Sequence, residues 1–320
     1  MTRHATHQIL DMLESRIAEY GGAVSRHEAG LSYAAGMVDH RVEVSPVSDD
    51  STMIRVSLTA PLFRVPPGLS RSPGRLHELL NAINRSRLIS SAVMYQDDDG
   101  VIALKMRTML DAEPGDPSEV VVGLAAAHAV QAVESYRMME QQIGALNQRY
   151  ESLMTSKPNP RLAIGLMTHC LQSERPDAFL ELCEGAIDRV SEGEGSVNMH
   201  DEGFVATLTP GGAPPAMAYL ISSTDHPVQN SCCLMMLAVP GPGLPETPHE
   251  VASRLNELEL EHEATGLLFQ PGTWMVDEEG IRHASALPWC GFHGHTPMQF
   301  LFMSLQRYRM VLQCDAEAEK

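Results

Sequence analysis

Apolar residues recur along this chain at two spacings, one helical and one of strand period. Between His7 and Tyr20 they fall at Ile9, Leu10, Leu13, Ile17 and Tyr20, a single stripe that Gly21-Gly22 ends. Strand-like pieces follow around Gly30–Tyr33, over Arg41–Val44 and over Met53–Ala60, the last two joined by a turn at Ser48–Ser51. Prolines 61, 66, 67 and 73 interrupt the pattern. A second helix is predicted from Gly74 to Leu88, with Leu76, Leu79, Leu80 and Ile83 on its apolar side. Strands at Ser91–Gln96 and Val101–Leu110 come next. A long helix from Ser118, a good N-cap, to about Met154 closes the half.

After the stiff stretch Ser156–Pro160 the same order returns. Helical periodicity covers Leu162 to Val190, with a break near Pro176. Strands are predicted at Ser196–Leu208, Ala216–Ser222 and Ser231–Val239, followed by a proline-rich segment and a helix from Thr247 to Ala264. Two strands flank Asp277–Gly280, and a helix from Pro297 to Cys314 ends the pattern. Each half therefore reads as αβββαββα. The expectation is an α+β fold of two tandem units, residues 1–155 and 161–320, each a mainly antiparallel sheet packed on helices. The acidic triplets before Gly100 and Gly280 read as hairpin turns, because glycine tolerates the positive φ of a tight turn. They lack the alternating carboxylates of a calcium loop.

Charge narrows the partners. Residues 161–320 carry 8 Lys+Arg against 22 Asp+Glu, a net of −14, whereas residues 1–160 carry 15 against 19. Such a field repels nucleic acid and anionic membrane surfaces and favours neutral or basic partners. The amino terminus has no long apolar core of the signal-peptide kind, and no run approaches the ~18 apolar residues of a membrane span. All six cysteines lie after residue 160 without a paired framework, which suits free thiols and a cytoplasmic location.

The run Leu79-Leu80-Asn81-Ala82-Ile83-Asn84, then Ser91–Tyr95, then Asp99-Gly100-Val101-Ile102-Ala103-Leu104 and the long closing helix, resembles the bacterial YbjN family and the related type III secretion chaperone-like fold. In YbjN-like sequences a Leu-Asn-x-x-Asn helix precedes such a strand pair. The second half keeps Leu255-Asn256 but has Glu259 where the second Asn would fall. The resemblance implies a non-enzymatic binder without cofactors, a tandem peptide-binding chaperone that holds an extended segment of a client protein. A YbjN-like regulatory interaction protein is the alternative. It also implies either a homodimer or an intramolecular pseudo-dimer.

Residue patterns suggest where binding would occur. Strands Ala216–Ser222 and Ser231–Val239 are apolar on both faces, so one face needs a cover from another domain, another chain or a client. Met217, Tyr219, Leu234 and Met236 are the candidate peptide contacts, since methionines adapt to varied apolar partners. The plainer reading is that both faces are buried in the protein. The last helix is apolar all round, which marks Phe300, Phe302 and Tyr308 as candidate interface residues. Chemistry is sparse. Cys290, His293 and His295 could ligate zinc or form a thiol–imidazole pair, but a fourth ligand is not evident, and the bland reading is a glycine-rich loop capped by Thr296. The acidic run Glu257, Glu259, Glu261 and Glu263 reads as a solvated helix face that could also steer a basic client.

Overall fold

The computed structural model describes residues 2–28, 30–48, 52–65, 72–85, 89–95, 100–111, 117–145, 151–153, 155, 157–187, 194–226, 230–240, 247–261, 271–278 and 280–318. In the first half these are helix α1 (Thr2–Glu19), strands β1 (Val24–His27), β2 (Gly30–Ala35), β3 (Val38–Pro46) and β4 (Met53–Arg64), helix α2 (Pro73–Asn84), strands β5 (Ser91–Tyr95) and β6 (Val101–Asp111), helix α3 (Ser118–Ala145) and the short β7 (Glu151–Ser152). The second half contributes α4 (Pro160–Leu171), α5 (Phe179–Ile187), β8 (Gly195–His200), β9 (Gly203–Leu208), β10 (Ala216–His226), β11 (Asn230–Ala238), α6 (Pro248–Glu261), β12 (Thr273–Asp277), β13 (Gly280–Pro288) and α7 (Thr296–Ala318).

Two antiparallel sheets result, as the α+β expectation required. The first runs β1-β2-β3-β4-β6-β5, with β7 paired to the end of β4, and the second runs β8-β9-β10-β11-β13-β12. Within its own half, each sheet places its six main strands in the order first, second, third, fourth, sixth, fifth. Both acidic triplets lie between antiparallel neighbours, β5 with β6 and β12 with β13. Asp277 pairs with Gly280, and the glycines at 100 and 280 have φ of 75° and 124°. The first triplet, Asp97 to Asp99, and Glu279 of the second lie outside the described residues.

Among the described residues the first half carries two strands more than the pattern predicted, β1 and the short β7, and the second half carries one. β1 was invisible because Ser25, Arg26 and His27 are exposed and polar, so no alternation marks them. The predicted strand Ser196–Leu208 is two strands that meet at a tight turn, His200 pairing with Gly203. Gly203 has φ 142°, and a Cβ there would collide with the Leu220 carbonyl. Helical periodicity from Leu162 to Val190 resolves into α4 and α5. Among the described residues α3 ends at Ala145, and Glu151–Ser152 pair with Arg64 and Phe63 where helix was expected.

The inner face of each sheet packs on helices, and one cluster of buried side chains spans both halves. It joins Ile9, Leu13 and Ile17 of α1, Val42 and Val56 of the first sheet and Val121 to Ala127 of α3. It continues through Leu162, Phe179, Phe204, Leu237, Leu255 and Phe300. A smaller cluster lies between α2 and the first sheet, around Leu80, Ile83, Phe63 and Ile102. α3 approaches the second half so closely that a Cβ at Gly123 would strike the Cys290 carbonyl.

The polar seam between the halves is built on the two Leu-Asn pairs. β12 is an edge strand, paired only with β13, and in its register Trp274 and Val276 turn their N–H and C=O groups away from that partner. Asn256 of α6 accepts from Trp274 N–H at 2.8 Å and donates to Trp274 O at 2.8 Å. Asn81 of α2, from the other half, accepts from Val276 N–H at 2.7 Å and donates to Val276 O at 3.1 Å. Two carboxamides thus stand in for the missing neighbour strand. Ser91 of β5 reaches Asn256 Oδ1 at 3.0 Å, and Gly272 N–H donates to Ile89 O at 3.0 Å, so the two edge strands are laced together.

A buried backbone group left without a partner costs about 1–3 kcal/mol. Asn256→Ala, at a site only 1% exposed, is expected to lower the unfolding free energy by about 2–4 kcal/mol, and Asn81→Ala by about 1–2 kcal/mol because Val276 is half-buried. Denaturant titration of both variants checks this. Equal and negligible losses would mean that the amides do not close the edge.

Candidate functional site

The outer face of the second sheet gathers the four peptide contacts suggested by the sequence. Alternation along β10 sends Ala216, Ala218 and Leu220 into the core and Met217, Tyr219 and Ile221 outward. On β11, Cys233, Met235 and Leu237 point inward and Leu234 and Met236 outward. Register then sets Tyr219 opposite Met236 and Ile221 opposite Leu234. All five outward residues are half-buried, and Val205 of β9 continues the patch. Among the described residues this face joins only a small satellite cluster of Cys232, Ala286 and Leu234, while its opposite side belongs to the main core. Thr207 Oγ1 donates to Met217 Sδ and Arg282 to Met236 Sδ, both at 3.5 Å, which sets the patch's polar margin.

The other candidates are placed differently. Phe300 packs on Phe204 with ring centroids 6.1 Å apart, and the Tyr308 hydroxyl donates to Pro214 O. Both are buried by contacts made within the second half, whereas Phe302 is 44% exposed. Cys290, His293 and His295 do not converge on one point. The two histidines stack edge to face, His295 N–H donating to His293 Nδ1 at 3.3 Å. Cys290 sits in the turn after β13 with its carbonyl against Gly123 of α3, and hydrogen bonding from Cys170, then from His169, holds its thiol pKa at about 5, below the ordinary cysteine value. Among the described residues no group of three or more His, Cys, Asp or Glu side chains is arranged to hold a metal ion.

Glu259, read as part of a solvated face, is in fact a half-buried hub, its side chain only 15% exposed. It takes a bidentate pair from Arg307 (2.7 and 3.0 Å), accepts from Trp274 Nε1 at 2.7 Å and lies 3.8 Å from His283. Arg307 is 2% exposed, so this pair locks α6, α7 and β12 together in a low-dielectric setting. Burial, reinforced by the Arg307 charge, pushes the His283 pKa far below its usual value and keeps the ring neutral.

Two surfaces escaped the sequence reading. On α4, Ile164, Met167 and Leu171 are 59%, 39% and 41% exposed at helical spacing. Their stripe was hidden because α4 is apolar on both sides, and pattern alone does not say which side is inward. Over the outer face of the first sheet lies an open cleft of ≈ 810 Å³, whose lining includes Asp39, Arg41, Glu43, Thr59 and Lys157. Its mixed charges commit it to no particular ligand.

The first half also hides a histidine pair. His40 stacks on Tyr33 with centroids 5.2 Å apart and meets His128 edge-on at 5.5 Å. Ser90 Oγ lies 2.7 Å from His128 Nδ1, and Gln131 exchanges two hydrogen bonds with the Ser90 backbone. Among the described residues, both His40 nitrogens, His128 Nε2 and the Tyr33 hydroxyl are buried and have no hydrogen-bond partner.

Residues 10–137, from α1 into α3, match the family model YbjN, described as "Putative bacterial sensory transduction regulator". The match makes this segment, which lies in the first half, similar to the YbjN family. No curated protein and no solved structure matches the chain. The YbjN segment contains the histidine pair and Asn81, but the apolar sheet face lies outside it, in the second half. Among the described residues no helix is long and apolar enough to cross a membrane.

The buried pair in the YbjN segment makes stability depend on pH. Burial lowers the His40 pKa from its usual 6.5 to about 3, and burial plus the neighbouring His40 lowers that of His128. The unfolded chain therefore binds protons that the folded chain refuses. The contribution of the neutral rings is complete above about pH 6.5 and is lost as pH falls toward 3, at up to about 1.4 kcal/mol per pH unit for each ring. His40→Phe, which keeps a ring on Tyr33, should flatten the fall between pH 6 and 4 by about one such increment. Parallel pH profiles for the two proteins would show that His40 is protonated in the fold.

Proposed function

We propose that this chain is a regulatory interaction protein made of two copies of one fold unit, residues 1–155 and 161–320. Its second unit receives an amphipathic helical segment of a partner protein on the outer sheet face. The observation that carries this reading is the in-register patch of Val205, Met217, Tyr219, Ile221, Leu234 and Met236, apolar and half-exposed on a sheet whose other side is filled. Such a face lowers its free energy when apolar side chains from another element cover it, at roughly 25 cal/mol per Å² removed from water. The sheet order, the repeated Leu-Asn pairs and the family match of the first unit support the regulatory reading.

The form of the partner follows from backbone chemistry. An extended client laid flat on a sheet face would leave its own N–H and C=O groups without partners, and the Asn256 and Asn81 amides occupy the β12 edge where a strand would otherwise add. A helix satisfies its own backbone and presents one apolar side. The helical segment therefore replaces the extended client that the chaperone resemblance implied. With a net of −14 on residues 161–320, the partner's polar side should be basic.

The test uses the full chain and two synthetic amphipathic helices with the same apolar side, one with a lysine-rich and one with a glutamate-rich polar side. The basic peptide is expected to bind, the acidic one to bind at least about tenfold more weakly. Met236→Glu should abolish binding without changing the circular dichroism spectrum. Loss through Met167→Glu on α4 rather than Met236→Glu would move the site to α4. Dimerisation through the sheet face, seen by sedimentation and abolished by Met236→Glu, would make a second copy the occupant. Either outcome overturns the proposal, as does a basic peptide that fails to bind.

A further inference from the structure

Helix α4 lies outside the segment that matches the family and away from the apolar sheet face, and its two sides differ. Leu162, Leu166 and Cys170 are buried in the common core, while Ile164, Met167 and Leu171 stand exposed at positions i, i+3 and i+7. Thr168 donates its hydroxyl to the Ile164 carbonyl at 2.8 Å, which satisfies the hydroxyl within the helix and leaves the methyl group in the stripe. Met37, in the turn between β2 and β3, is exposed beside the start of the helix. Gly36 exchanges backbone hydrogen bonds with Asn159, and a Cβ on Gly36 would lie 3.6 Å from that of Ala163. Among the described residues, four of the five large apolar side chains that stand exposed are gathered here, and only Phe302 lies elsewhere.

We propose that a second copy of the chain docks on this face, α4 packing antiparallel against α4 of the partner about a two-fold axis between Met167 and Thr168. A two-fold contact must be complementary to itself, and the segment reads consistently when reversed about that point. Ile164 then meets the partner's Leu171, and Met167 meets the partner's Thr168. Arg161, in the first turn, meets the partner's Glu174, just past the helix end. Both of these charged side chains are exposed. Within one chain they sit at opposite ends of α4, roughly 20 Å apart at the helical rise, so only a second copy brings them together. This inference does not depend on the peptide-binding reading.

Charge agrees with a copy as the occupant. The chain carries a net of −18, so two copies repel one another across most of their surface. From Pro160 to Leu171 there is one arginine and no carboxylate, which makes α4 a gap in the acidic field of the second half. Antiparallel packing also sets the positive end of each helix dipole beside the negative end of the other. Size sets the strength. A helix of 12 residues is about 18 Å long, and the few apolar side chains it presents fall short of the roughly 1,200 Å² that a stable interface buries. The dimer is therefore weak and depends on protein concentration.

Sedimentation velocity of the full chain, from micromolar to near-millimolar concentration, should show a reversible monomer–dimer equilibrium. Met167→Glu sets two carboxylates beside the axis and should weaken the dimer at least about tenfold. Because Met167 is exposed, the circular dichroism spectrum and the thermal midpoint of that variant should not change. Arg161→Glu and Glu174→Arg should each weaken the dimer about fivefold, since each change puts like charges opposite one another twice. The double variant Arg161→Glu/Glu174→Arg should recover the parent affinity, and Met236→Glu, on the sheet face, should leave it intact. A chain that stays monomeric at every concentration, or a dimer that survives Met167→Glu, would overturn the proposal. So would a dimer that Met236→Glu removes, or a double variant that associates no better than the single ones.

Discussion

The arrangement of this molecule rests on how the outer edge of β12 is closed. A strand at the end of a sheet presents backbone donors and acceptors that must find partners, and the usual solutions are water, another strand or a covering element. Here the partners are two asparagine carboxamides, one from each half, set on adjacent outward-facing residues of the same strand. Asn256 closes the edge from within its own half. Asn81 crosses to it, so the second half's sheet is complete only when the first half is docked. The close approach of α2 to α6 and the hydrogen bonds that join Ile89 and Ser91 to Gly272 and Asn256 depend on the same docking. A sheet edge that would invite strand addition becomes the joint of the molecule.

That joint determines which surfaces remain for function. The inner faces of both sheets are filled by helices and share one core, and the β12 edge is taken. What is left on the second sheet, besides the β8 edge, is its outer face, where alternation on β10 and β11 has set methionine, tyrosine, isoleucine and leucine side by side. Charge favours a basic partner there, and backbone satisfaction favours one that carries its own hydrogen bonds.

Much of the fold was legible because period and punctuation agreed. The stripe of α1, the alternation in β3 and β4, the apolar run of β11 and the Gly-terminated acidic turns each carried a local physical reason. The reading failed where local signals were weak or doubled. β1 has no buried face to create alternation, the turn at Gly203 is too short to separate two strands by composition, and the run from 162 to 190 is helical in period on both sides of its break. The candidate surface was legible as a set of residues, since both β10 and β11 are apolar on each face. Which face was covered was not.

Local chemistry along the chain was enough to specify two α+β halves, their hairpins, the acidic second half and the paired Leu-Asn signals, because helix stripes, strand alternation and turn glycines act over a few residues. The tertiary structure alone decided that Asn81 serves the other half's strand and that Glu259 is a half-buried ion-pair hub. It also decided that the Cys290 carbonyl packs on Gly123 of α3. Those outcomes join residues separated by 195, 48 and 167 positions. Contacts at that range are set by how whole faces pack, and no window of the sequence contains both partners.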